Sequence, residues 1–147
     1  MSDKPRSPLT PMLALRRRAR GQLSGLLSQL ILGLAVNLIG PSNQTAGAVK
    51  VAATALLALH VLVAIALVVG SILTVVNARR TEAGLAGLGW IGFAVIIVTF
   101  AAGALTMATN NGWLSFLMGV GATASLVIYG TLFMRTWQGR QAEAARG

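Results

Sequence analysis

The sequence predicts an all-α membrane protein, an up-down bundle of four transmembrane helices with both termini in the cytoplasm. Three observations carry this reading. Hydrophobic residues make up 55% of the 147-residue chain and charged residues only 10%, where a soluble domain has about 25% charged residues. The apolar residues fall into four long runs, 23–39, 51–76, 85–107 and 113–133, and none of the runs contains Asp, Glu, Lys or Arg. Eleven of the twelve basic residues lie before the first run, in the turn between the second and third, or after the fourth. The chain divides accordingly into a basic tail over 1–20 expected to be disordered, a membrane domain over 21–134, and a short polar tail over 135–147.

The tail carries Pro5, Pro8 and Pro11 and ends in Arg16-Arg17-Arg18-Ala19-Arg20. Such a cluster sets topology and attracts anionic headgroups, at about 1 kcal/mol per basic residue near the surface. The first run follows. With Ala46-Gly47-Ala48 behind it, the run imitates a secretory signal, but it leads straight into further spans and is polar inside. Gly25, Gln29, Gly33 and Asn37 recur every fourth residue, a drifting stripe that permits close backbone approach. Gly21 and Gly25 add a GxxxG pair. An amide facing hydrocarbon unpaired costs several kcal/mol, so the stripe is expected to face other helices.

Residues 40–50 read as a loop of turn formers; its Asn43-Gln44-Thr45 matches a glycosylation sequon by accident. The second run is the strongest span, about 39 Å of helix at 1.5 Å per residue against a hydrocarbon core of about 30 Å. It holds His60, the chain's single histidine. The third opens on Gly84, Gly87, Gly89 and Gly92 around Trp90, an interfacial aromatic beside a close-packing surface. Asn110-Asn111-Gly112 is a turn signal. The fourth run ends with Tyr129 and Trp137 as markers of its far interface. The charge asymmetry then puts the termini and the middle turn in the cytoplasm.

These features exclude several functions. The basic residues sit at run edges and form no face of their own, so no nucleic-acid partner is expected despite a net charge of +9. With no cysteine there is no disulfide, thiolate metal site or cysteine nucleophile. Gly119 and Gly121 lie inside an apolar run and make no phosphate cradle. Small multidrug exporters share the size and span number but rely on a carboxylate in the first span, and proton- or ion-coupled carriers need an ionisable relay at depth. The chain is therefore expected not to be an enzyme, and its spans hold little polar surface for a transporter or channel.

His60 counts to mid-membrane. At the same depth lie Gln29, Thr99, Thr123 and Ser125, and with Asn37 these are the candidate site residues, a polar layer between the helices. A neutral imidazole there pins helix register by hydrogen bonding. It is also what a b-type haem needs as an axial ligand, or what a quinone needs as a hydrogen-bond donor. No cofactor is required by the sequence. Haem b or a quinone at His60 is the alternative, although Met107 and Met118, the possible second haem ligands, count too far from His60 in depth.

The stretch Gln29-Leu30-Ile31-Leu32-Gly33-Leu34-Ala35-Val36-Asn37-Leu38, with Ala58-Leu59-His60 and Ser115-Phe116-Leu117-Met118, resembles a group of uncharacterised four-span actinobacterial integral membrane proteins, over about residues 22–134. The resemblance implies the four-span fold and carries no activity. The bundle is also faintly similar to cytochrome b561-type proteins, but the paired histidines of that family are not met, since the fourth span has Thr123 and Ser125 and no histidine. The expected role is a scaffold or accessory subunit of the bacterial cell membrane, in contact with lipids and packing on itself as a homo-oligomer or on a larger membrane complex.

Overall fold

The computed structural model describes residues 9–40, 46–81, 83–109 and 111–144. They form four α-helices and no strand: α1 Leu9–Ile39, α2 Gly47–Ala78, α3 Ala83–Thr109 and α4 Gly112–Ala144. All four are long and apolar enough to cross a membrane. Within the described residues each helix packs on its two sequence neighbours around a closed ring, α4 returning to α1, and the diagonal pairs do not touch. The protein is an integral, multi-pass membrane protein built as an up-down four-helix bundle.

Local chemistry accounts for the connections. Gly40 takes φ 82, and its N–H donates to the Val36 carbonyl at 3.1 Å, the left-handed glycine close of a helix C-terminus. At the end of α2 the Arg79, Arg80 and Thr81 N–H groups turn back onto the carbonyls of Val75, Asn77 and Ala78. Asn111 caps α4: its side-chain oxygen accepts the Trp113 N–H at 2.9 Å. The Asn-Gly turn was legible for this reason. Hydroxyls along the spans bond to the carbonyl one turn back, as Thr54, Thr74, Thr99, Thr106, Thr123 and Thr131 do, so they need no partner in a neighbouring helix.

The inward seam of every helix steps alternately by three and four residues. On α1 it is Leu15, Ala19, Gln22, Leu26, Gln29, Gly33, Val36; on α2 it is Ala53, Leu57, His60, Ala64, Leu67, Ser71, Thr74, Ala78. On α3 it is Leu85, Gly89, Gly92, Ile96, Thr99, Gly103, Thr106, and on α4 Ser115, Met118, Ala122, Ser125, Tyr129, Leu132, Thr136. This is the spacing of helices in a left-handed bundle. It replaces the every-fourth-residue stripe expected on α1: Gly25 and Gly33 do meet α2, at Leu67 and His60, whereas Gly21 has no neighbour within 4 Å and Asn37 is exposed.

Small seam residues set the helix spacing. A Cβ on Gly92 would stand 3.0 Å from Tyr129 Cζ, one on Gly89 3.2 Å from Ala78 Cβ, and one on Gly103 3.1 Å from the Met118 sulfur. Gly84 and Gly87 have nothing within 4 Å, so the close-packing surface expected at the start of α3 narrows to Gly89 and Gly92.

The two ends of the bundle differ. The end holding the start of α1 and the finish of α4 is tightly packed around Leu15, Ala19, Leu85, Tyr129 and Leu132. Here the expected disordered tail over 1–20 is corrected: helix α1 begins at Leu9, because Leu15 and Ala19 are fully buried. Residues 1–8 lie outside the described residues. The C-terminal tail is likewise helical to Ala144, with Thr136 buried. Tyr129, expected at an interface, is 0% exposed; Gly92 leaves the room in which its ring lies. The opposite end is loosely filled and contains the cavity described next.

Candidate functional site

Leu26, Leu67 and Ile96 are seam residues at one level of α1, α2 and α3, and all three belong to the buried core. They form the floor of an interhelical cavity of about 290 Å³ with residues of all four helices in its walls. Above the floor the seams turn small or polar: Gln29 and Gly33 on α1, His60 and Ala64 on α2, Thr99 and Gly103 on α3. Small residues there leave the space that leucines fill below. Most of the wall is apolar, with Phe100, Met107 and Met118 among its larger groups.

The polar centre is one pair. Gln29 Nε2 lies 3.0 Å from His60 Nε2. An amide nitrogen only donates, so Nε2 of the imidazole accepts and the ring proton sits on Nδ1. Gly33 makes the pairing possible: a Cβ there would stand 3.3 Å from His60 Cε1, so a larger residue would push the ring away from α1. Three atoms on residues lining the cavity are sealed from solvent without a protein partner: Gln29 Oε1, His60 Nδ1 and Ser125 Oγ. In hydrocarbon each such group costs several kcal/mol.

The six expected site residues separate on this geometry. Gln29, His60, Thr99 and Ser125 all line the cavity. Thr99 does so with its hydroxyl engaged on its own helix, donating to the Val95 carbonyl at 2.7 Å. Asn37 also lines the cavity but is exposed, contrary to the expectation of a buried amide. Thr123 is not part of the layer. It faces outward and bonds to the Gly119 carbonyl, because the seam of α4 passes through Ala122 and Ser125, one step to either side. Met107 and Met118 line the same cavity as His60, which runs along the bundle axis and so takes in residues of different depths.

Gln22 was not singled out from sequence. It is buried, and its amide donates to the Leu67 carbonyl at 3.0 Å directly below the floor. Its seven-residue offset from Gln29 was the available signal. With Ser71, Thr74 and Thr136 it makes the interior of the bundle more polar than the scattered hydroxyls of the sequence suggested. Among the described residues no group of three or more His, Cys, Asp or Glu side chains converges. Comparison with known protein families, curated proteins and solved structures finds nothing that matches this chain.

Proposed function

We propose that this protein is a non-enzymatic module of the bacterial cell membrane that holds a small, uncharged, hydrogen-bonding molecule in the cavity beside His60. The observation that carries the reading is the set of three unpartnered polar atoms on residues walling one apolar cavity. A ligand with carbonyl or hydroxyl groups would satisfy them at the cost of small side-chain rotations. A cavity of about 290 Å³ is close to the lower end of small-molecule pockets. A quinone headgroup belongs to this ligand class. A b-type haem is less well supported, because Gln29 engages Nε2 and Gly33 lies against the other edge of the ring. The non-enzymatic part rests on the inventory: no cysteine, one histidine, and no carboxylate within any span. The distribution of basic residues supports cytoplasmic termini, which turns the cavity toward the outer leaflet.

The test is native mass spectrometry of the protein extracted directly into lipid discs, comparing wild type with Gly33→Leu. A small molecule that co-purifies with wild type and is lost from a folded Gly33→Leu variant supports the reading. Identical spectra with water as the only occupant would sink it.

A second reading, the scaffold or accessory subunit, is favoured by the outward face of α3. Gly87, Ile91, Ala94, Val98, Ala101, Leu105 and Ala108 repeat the three-four spacing on the side away from the bundle, small residues alternating with large. Ile91, Val98 and Leu105 are each about half exposed, at 54%, 57% and 51%. Small residues in such register let a second helix approach closely. The two readings are compatible, since the cavity and this face lie on opposite sides of α3.

A further inference from the structure

The tightly packed end of the bundle carries Arg16, Arg17, Arg18 and Arg20 on α1, Arg79 and Arg80 in the α2–α3 turn, and Arg135 and Arg140 on α4. The whole chain has twelve basic residues and three acidic ones. Even if every carboxylate paired, nine cations would take their counter-charge from outside the chain. These arginines are not arranged alike. Arg16 is half-buried, its guanidinium 3.9 Å from the centre of the Trp137 ring and 5.4 Å from that of Phe133. A guanidinium held against two rings has lost much of its rotamer freedom, and its outward N–H groups remain for an oxyanion. Met12 beside Gly139 holds the same helix pair together one turn further out. Arg20 lies one turn along α1 on the same side as Arg16. Arg135, two residues from both Phe133 and Trp137, stands on the opposite side of α4 and adds nothing to this groove.

We propose that the groove between the start of α1 and the end of α4 is a seat for the phosphate of an anionic phospholipid, with Arg16 as its fixed donor and Arg20 as a mobile one. The chemistry selects phosphate because the guanidinium fork matches two of its oxygens at once. It selects a lipid because Trp137 is 42% exposed and Phe133 partly exposed at the level where the spans end, and they offer an apolar flank to the acyl chain. Arg79 stacks on Trp90 at 4.8 Å at another corner of the same end, with Arg80 beside it, and provides an internal comparison of equal charge.

The experiment is native mass spectrometry of the full chain titrated with phosphatidylglycerol or phosphatidylcholine in detergent. It compares wild type, Arg16→Gln/Arg20→Gln and Arg79→Gln/Arg80→Gln. Wild type is expected to retain phosphatidylglycerol over phosphatidylcholine. Removing Arg16 and Arg20 should lower that retention by about fivefold per arginine, the worth of one basic residue at a membrane surface. Removing Arg79 and Arg80 should lower it less. Arg16→Lys keeps the charge without the flat fork; it should bind like the double variant's single-arginine step and still fold. Equal losses from both pairs, or equal retention of the two lipids, would overturn the seat in favour of diffuse surface charge. Displacement of the lipid by millimolar inorganic phosphate would overturn it in favour of a soluble anion.

Discussion

Gln29 on α1 and His60 on α2 are joined at 3.0 Å between the amide nitrogen and Nε2, an arrangement in which the amide donates to the imidazole. The pair is half-buried and lies near the middle of α2 and about two-thirds of the way along α1. Interhelical hydrogen bonds in membranes average about 0.6 kcal/mol and reach about 1.7. A double-mutant cycle on Gln29→Leu and His60→Leu, read by unfolding in mixed micelles, should give a coupling energy in that range. A coupling indistinguishable from zero would mean that the two side chains do not act together.

The two glycines of α4 at 119 and 121 look alike in sequence and differ in structure. Gly121 lies against the Thr99 side chain of α3, while Gly119 has nothing within 4 Å. Gly121→Leu should therefore overpack the α3–α4 contact and cost about 1–3 kcal/mol. Gly119→Ala should be neutral or stabilising by up to about 1 kcal/mol, through helix propensity alone. The same unfolding titration checks both, and similar values for the two sites would contradict the packing described.

Tyr129 is fully buried, and its hydroxyl oxygen is sealed without a partner. Its contribution is then the ring, which packs against Gly92. Removing an unpartnered buried hydroxyl leaves nothing behind to desolvate, so Tyr129→Phe should be neutral or stabilising. Tyr129→Ala should lose about 3–5 kcal/mol, as large aromatic truncations in cores do. A strongly destabilised Tyr129→Phe would reveal a hydrogen bond to the hydroxyl.

The membrane architecture was legible because hydrocarbon excludes charge over long, countable stretches, and helix rise converts length to depth. That arithmetic placed Gln29, His60, Thr99 and Ser125 around one cavity. It failed for Thr123 because depth says nothing of rotation about the helix axis. Rotation is normally read from amphipathic contrast, and here both faces of each span are apolar. The contrast that does exist is between small or polar residues at three-four spacing and bulky ones elsewhere. A search for that spacing would have found Gln22, Ser71 and Thr136 and turned Thr123 outward. Tyr129 was misplaced for a related reason: aromatics with a polar tip favour interfaces, and only the glycine opposite, Gly92, shows that this one has a pocket inside.

Orientation rests on charge alone, and a cysteine-free chain makes it simple to examine. Ala46 precedes α2 and Thr81 follows it, so the 32-residue helix separates them. Ala46→Cys should react with an impermeant maleimide from outside intact cells, and Thr81→Cys only after permeabilisation. Both residues labelling from one side would dismantle the threading, and with it the direction in which the cavity opens.

The same absence of cysteine permits a direct check of the α3 outer face. Ala94 and Ala101 are exposed on that face one heptad apart. If two copies pack there through their small residues, the backbones approach closely, and cysteines at the contact come within the Cα separation of about 4.4–6.8 Å that a disulfide spans. Ala101→Cys should then cross-link to a covalent dimer in native membranes under mild oxidant, as should Ala94→Cys if the copies run parallel. Leu62→Cys, exposed on α2 away from that face, is the matched control. Cross-linking at Leu62 equal to that at Ala101 would indicate collision rather than a specific face, and no dimer at either alanine would leave α3 facing lipid.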